Sequence, residues 1–177
     1  QDILLHSPSS ISLGSVTAGD HVDLISCGAV TGCGTAVHVT ATSVTAKGGL
    51  VVLNTSVDRL CLCGSTGSIV IKESNGITLG DMFAFGQVQV EATAGDIVLD
   101  GAINAGVQAC LTAKAGAITD DCDTCVDVFG QSVKLSSRDG VGTLAHPIHV
   151  EACGLVLEAT GLNKSIYVND LTGIGVL

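Results

Sequence analysis

The sequence predicts an all-β protein wound as a parallel β-solenoid with coils of about 20 residues, and three observations carry that prediction. A strand-and-turn phrase returns along the chain: Gly19-Asp20-His21-Val22-Asp23-Leu24, Gly67-Ser68-Ile69-Val70-Ile71, Gly95-Asp96-Ile97-Val98-Leu99-Asp100 and Lys164-Ser165-Ile166-Tyr167-Val168-Asn169. No stretch sustains an apolar 3.6-residue period over ten residues, whereas period-2 alternation is clear in Val133-Lys134-Leu135 and Ile148-His149-Val150. The composition suits a narrow core of small branched side chains: 46% apolar, 23 Gly, no Trp, one Tyr, three Phe and one Met in 177 residues. A unit that short cannot bury its own apolar face, so it stacks on its neighbours.

Taken in order, strands are expected at 3–5, 11–13, 22–25, 37–41, 50–53, 57–63, 69–71, 77–79, 88–92 and 97–99. Further strands follow at 107–113, 117–119, 126–128, 133–136, 148–152, 155–159 and 166–168. Gly, Asn, Asp, Ser and Thr between them supply the turns, and Pro8 and Pro147 stand at strand approaches, where a missing N–H does least harm. Asn75-Gly76 and Asp139-Gly140 are hairpin dipeptides, but the even spacing without long connections favours coils over a sandwich. Eight or nine coils would make a rod on the order of 40 Å long at ~4.8 Å per coil. Gly28-Ala29-Val30-Thr31 is echoed by Gly116-Ala117-Ile118-Thr119, and Ser68-Ile69-Val70-Ile71 by Ser165-Ile166-Tyr167-Val168. Residues 1–177 therefore read as one solenoid domain of two degenerate modules, about 14–88 and 89–177.

Charge narrows the partners. The net charge is −10, only 14% of residues are charged, and no Lys/Arg cluster exists, which argues against nucleic acid. Apolar runs are too short to span a membrane as a helix. The apolar ends, Gln1-Asp2-Ile3-Leu4-Leu5 and Gly173-Ile174-Gly175-Val176-Leu177, read as strand interiors, so a segment or subunit of a longer fibre is expected.

Residues 116–170 resemble one unit of the repeats in filamentous-haemagglutinin-like bacterial surface proteins. The likeness lies in the Gly116-Ala117-Ile118-Thr119 opening, the Val133-Lys134-Leu135 strand and the closing Ser165-Ile166-Tyr167-Val168. Val141-Gly142-Thr143-Leu144-Ala145-His146-Pro147-Ile148 varies the family's Gly-Ile-Gly-Thr-x-x-x-Pro-Leu element. The likeness covers about a third of the chain well and the rest loosely. It implies a right-handed parallel β-helix, exported and displayed on the cell surface as a fibre or adhesin. Two departures stand out: the secretion-domain signature of such proteins is missing, and eight cysteines exceed what these repeats usually carry.

The cysteines are Cys27, Cys33, Cys61, Cys63, Cys110, Cys122, Cys125 and Cys153. In an exported chain an even count reads as a disulfide framework of unreadable connectivity, and register neighbours on adjacent coils sit ~4.8 Å apart, within disulfide reach. Leu60 and Leu62 face inward by analogy with Leu155 and Leu157, which turns Cys61 and Cys63 outward. Cys122-x-x-Cys125 with His146-x-x-His149 has the outline of a zinc site, but the His spacing is tight and contains Pro147. With Ile148 and Val150 inward, His149 is expected in solvent. Asp120, Asp121 and Asp123 form an acidic turn expected to be solvated, and are the only candidates for a metal, calcium. No other cofactor is expected.

No catalytic motif is present: no Gly-x-Ser-x-Gly elbow, P-loop or dinucleotide fingerprint. Glu91, Asp96, Asp100 and Glu151 are carboxylates of the type that cleaves polysaccharides on other β-helices, but few aromatics exist to hold a sugar. Asn54-Thr55-Ser56 and Asn163-Lys164-Ser165 match glycosylation sequons. The expectation is therefore a non-enzymatic segment of an extracellular fibre or giant adhesin that assembles end to end through strand edges. Its partners would be copies of itself, with a module binding surface glycans or host proteins as the alternative and a polysaccharide lyase or hydrolase behind both.

Overall fold

The computed structural model describes residues 1–121 and 125–172, and among these it contains no helix. Seventeen strands follow one another: β1 (Ile3–Ser7), β2 (Ile11–Leu13), β3 (Val16–Thr17), β4 (His21–Ser26), β5 (Ala29–Gly32), β6 (Val39–Lys47), β7 (Leu50–Ser65), β8 (Ile69–Glu73) and β9 (Ile77–Ala84) open the series. Then come β10 (Gln87–Ala92), β11 (Ile97–Leu99), β12 (Ile103–Ala105), β13 (Gln108–Ala113), β14 (Ile118–Asp120), β15 (Val128–Ser137), β16 (Ile148–Ala159) and β17 (Val168–Asp170). Every strand pairing among them is parallel. Register partners lie between 16 residues apart (Val44 and Leu60) and 25 apart (Ile103 and Val128). The chain is thus a β-solenoid of about eight coils, roughly 40 Å of stacked strands.

Identical faces stack because each inward position finds a like side chain one coil away. One column runs Ile11, Val30, Val51, Ile69, Val88, Ala109, Val133, Leu155, all buried. A second runs Leu5, Leu24, Ala46, Leu62, Met82, Ile103, Val128, Val150. A third, decisive below, runs Ile3, Val22, Val44, Leu60, Leu79, Leu99. These columns belong to one continuous hydrophobic core, with Ile3 and Leu5 partly buried against it.

Turns between faces bring backbones close enough to demand glycine. The Gly49 N–H donates to the Gly28 carbonyl at 2.6 Å and the Gly86 N–H to the Gly67 carbonyl at 2.8 Å. A Cβ on Gly67 would collide with the Gly49 carbonyl oxygen, and one on Gly106 with that of Phe85.

The structure differs from the sequence reading in several particulars. Patches 50–53 and 57–63 merge into β7, and 148–152 and 155–159 into β16, because these strands turn corners without leaving the ladder. The short β3, β5 and β12 carry too few alternating residues to announce themselves; they form by pairing with β6, β7, β9 and β15. The last strand begins at Val168, two residues later than expected, and Ile166 is 36% exposed with a single bridge to Val141. Strand β10 lies across residues 88 and 89 and pairs on both sides, with β8 and β13.

Candidate functional site

Three places on this scaffold hold chemistry: a polar corner inside the coils, an acidic cleft beside it, and a stripe of aromatic side chains outside. The corner begins where the third column changes character. Asp120 pairs with Leu99 and so takes the inward place that Leu60, Leu79 and Leu99 hold in earlier coils, at 8% exposure. A carboxylate in an aliphatic column needs a partner. Two arrive from further along the chain: Asp127, just before β15, and His149 in β16, 5% and 9% exposed. The ligand-type atoms of the three residues all lie within 4.8 Å of one another.

Backbone bonds set this triangle. The Asp127 N–H donates to the His149 carbonyl at 2.9 Å, and the His149 N–H returns a bond to Asp127 Oδ2 at 2.6 Å. His149 Nδ1 stands 3.7 Å from the same oxygen and, although buried, has no hydrogen-bond partner. Leaving such an atom unsatisfied costs about 1–3 kcal/mol. Burial pushes the Asp127 carboxyl up to about 6; the facing Asp120 carboxylate adds to the rise, while the His149 N–H opposes it.

Glu73 shows what a purely structural buried carboxylate looks like in the same fold. Its Oε2 accepts the Thr55 hydroxyl at 2.7 Å and the Val57 N–H at 3.2 Å, and its Oε1 accepts the Ser74 and Asn75 N–H groups at 2.7 and 3.3 Å. Burial still raises its pKa above the ordinary glutamate value against those donors. Small neighbours in its column, Thr55 and Ala92, leave it room. Glu73 closes a corner by satisfying backbone donors; Asp127 accepts the His149 N–H as well, but also faces a second carboxyl and an imidazole.

These positions correct the sequence reading. His149, expected in solvent, is buried: Ile148 and Val150 do point inward, but the other side of the strand is covered by Asp127 and Asp120. Asp120 belongs to the core and not to a solvated turn; Asp121 is exposed, and Cys122 and Asp123 lie outside the described residues. Cys125 and His146 are exposed, and the metal-capable cluster among the described residues includes neither of them. Asp127 escaped notice because an aspartate between Val126 and Val128 has no local signature; only its register against His149 gives it a role.

The cysteines do not meet in register among the described residues. Cys61 lies beside Thr45, and Cys110 between Gln89 and Lys134. Cys27, Cys33, Cys61, Cys110 and Cys153 are free thiols, with Cys33 Sγ 3.1 Å from Ser12 Oγ; the Cys63 side chain is outside the described set. Leu60 and Leu62 point inward and Cys61 is half-buried on the other side.

The candidate carboxylates are dispersed and engaged. Glu91 pairs with Lys114 at 2.8 Å, Asp96 accepts the Ala117 N–H at 2.7 Å, and Asp100 pairs with Arg59. Glu151 sits next to Phe129 across the ladder. Asp81, Asp100, Asp121 and Asp127 line a cleft of about 350 Å³ that adjoins the polar corner. Of the sequons, the Asn54 amide donates to the Ala36 carbonyl at 3.1 Å, while Asn163 is exposed at a positive φ of 57°.

The three phenylalanines, too few in the sequence reading to make a surface, are all outside. Phe83 and Phe85 are 42% and 64% exposed and meet edge to face at 5.1 Å, and Phe129 is 46% exposed. Asn104 pairs with both Phe83 and Phe129, so the rings flank it on one face, on the first and third of three successive coils. They border a hollow of about 230 Å³ with Asn104 and Gly106. Large rings do not fit the narrow core, so its few aromatics go outside.

Fold and surface define the class: a parallel β-solenoid repeat protein with a mainly aliphatic interior, an exposed aromatic stripe and buried polar corners. Residues 1–58 match the family model described as repeats of unknown function (DUF5649), so that stretch is similar to those repeats. No curated protein matches the chain, and no solved structure does. No helix among the described residues is long and apolar enough to cross a membrane.

Proposed function

We propose that this chain is a rigid structural segment of an extracellular bacterial fibre or large adhesin of the filamentous-haemagglutinin-like kind. The observation that carries the reading is the unbroken parallel ladder over about eight coils, a geometry that transmits load along one axis and extends by adding coils. Strands β1, β2 and β3 each pair on one side alone, with β4, β5 and β6, so their other edges offer backbone donors and acceptors to a further coil. The motif likeness of residues 116–170 supports the exported setting.

Analytical ultracentrifugation with electron microscopy tests this. The chain is expected to form elongated, concentration-dependent species, and Leu4→Pro in exposed β1, which removes an edge N–H, to shorten them. Globular monomers at every concentration would refute end-to-end assembly.

A second reading, a glycan-binding module, is favoured by the stripe of Phe83, Phe85 and Phe129 with Asn104 between. Flat rings beside an amide suit the apolar face and hydroxyls of a sugar. Binding on a glycan array that disappears with Phe85→Ala, while the fold is kept, would move the proposal from scaffold to lectin-like module.

A further inference from the structure

The geometry points to a divalent transition-metal site, zinc foremost, formed by Asp120, Asp127 and the Nδ1 of His149. A position aliphatic in six preceding coils turns acidic only where a second acid and an imidazole arrive to meet it. The chain has a different way of holding a buried carboxylate, seen at Glu73, where backbone and hydroxyl donors surround both oxygens. At the corner Asp127 Oδ2 accepts the His149 N–H, and the two carboxyls also meet each other.

His149 supplies an independent observation. The residue is 9% exposed, and its Nδ1 is buried without a hydrogen-bond partner and aimed at Asp127 Oδ2 from 3.7 Å. That separation is too long for a hydrogen bond but close to the ~3.3 Å edge of a tetrahedron of ligands around zinc with bonds of ~2.0 Å. A cation in the triangle would take the lone pair of Nδ1 and one oxygen from each carboxylate.

The donor set selects the metal. Calcium requires six to eight oxygens, and an imidazole nitrogen with two carboxylates suits zinc and its first-row neighbours. Three protein ligands leave a fourth position for water, reached from the adjoining cleft. Asp120 and Asp127 come from one turn of the chain and His149 from the next, so the ion would tie successive coils together at a corner.

The test uses the chelator-treated 177-residue chain, titrated with Zn²⁺ by calorimetry and with Co²⁺ by absorption, and zinc-edge X-ray absorption on the zinc-loaded wild type. One Zn²⁺ per chain is expected, with affinity weakened at least about tenfold in Asp127→Asn and His149→Gln and unchanged in Cys125→Ser. The Co²⁺ form should show d–d bands without a thiolate charge-transfer band. X-ray absorption should find imidazole and oxygen at ~2.0–2.2 Å. A sulfur shell at ~2.3 Å, affinity unchanged in the folded Asp127 and His149 variants, or no stoichiometric binding would overturn the assignment. Circular dichroism checks folding, and if a variant does not fold, the wild-type ligand shell decides alone.

Discussion

Replacing Gly67 by alanine tests the stacking of the coils at one atom. The added Cβ would lie against the Gly49 carbonyl oxygen, inside the 3.0 Å that real Cβ atoms keep, and the obstacle is backbone, so two coils must part by several tenths of an ångström. That movement strains the 2.8 Å bond from Gly86 N–H to the Gly67 carbonyl and the 3.1 Å bond from the Ser65 hydroxyl to Gly49. Overpacking of this kind costs about 1–3 kcal/mol and a weakened ladder bond about 1, so about 2–4 kcal/mol is expected. In a solenoid the loss stays near its origin, since each coil touches only its neighbours. Hydrogen exchange is therefore the assay: amides of β7 and β8 should lose protection by roughly 30- to 1000-fold, with those of β15 and β16 nearly unchanged. Gly154→Ala is the control, because no atom lies within 4 Å of its added Cβ. Gly154→Ala should be neutral or stabilising by up to about 1 kcal/mol. If the two variants exchange alike, the close approach of coils at the turns is not what selects glycine.

Leu111, fully buried in β13, should cost about 2–5 kcal/mol in urea unfolding when cut to alanine, whereas outward Lys134→Ala should stay within about 1 kcal/mol, as its exposed pair with Glu158 implies. Glu73 has a folded pKa raised by burial, so its contribution is fully present below the unfolded value and is lost as pH rises through the folded one. Glu73→Gln should accordingly cost most at low pH, the gap to wild type narrowing as pH rises; a gap independent of pH would contradict the raised pKa. Gly32→Ala would drive a Cβ into the His38 ring, whose Nδ1 accepts the Asn54 N–H at 3.0 Å, and faster exchange of that amide would report it. Arg59→Ala should change stability by less than about 1 kcal/mol and less still in high salt, since its pair with Asp100 is half exposed.

The columns were legible in the sequence because a strand's side-chain period is two and a solenoid repeats it. Val133 and Leu135, Ile97 and Leu99, Ile148 and Val150 were assignable to the interior from alternation alone, and all are buried. The short β3 and β5 were not, because two to four residues contain too little alternation, and their pairing with β6 and β7 is what makes them strands. The aromatic stripe was hidden for a related reason: Phe83 and Phe129 are 46 residues apart and meet only because Asn104 pairs with both.

Composition and repetition by themselves determined that this chain is all-β, wound in coils of about 20 residues around a core of small branched side chains. Local periodicity is a backbone property, and no distant contact is needed to read it. Which outward faces meet solvent was decided by tertiary structure alone. His149 obeys its alternation and is still buried, because register across a coil lays Asp127 over it and places Asp120 where a leucine column ends. Spacing along the chain cannot reveal that triangle: insertions vary the coil length from 16 to 25 residues, and only the folded stack shows which residues become neighbours.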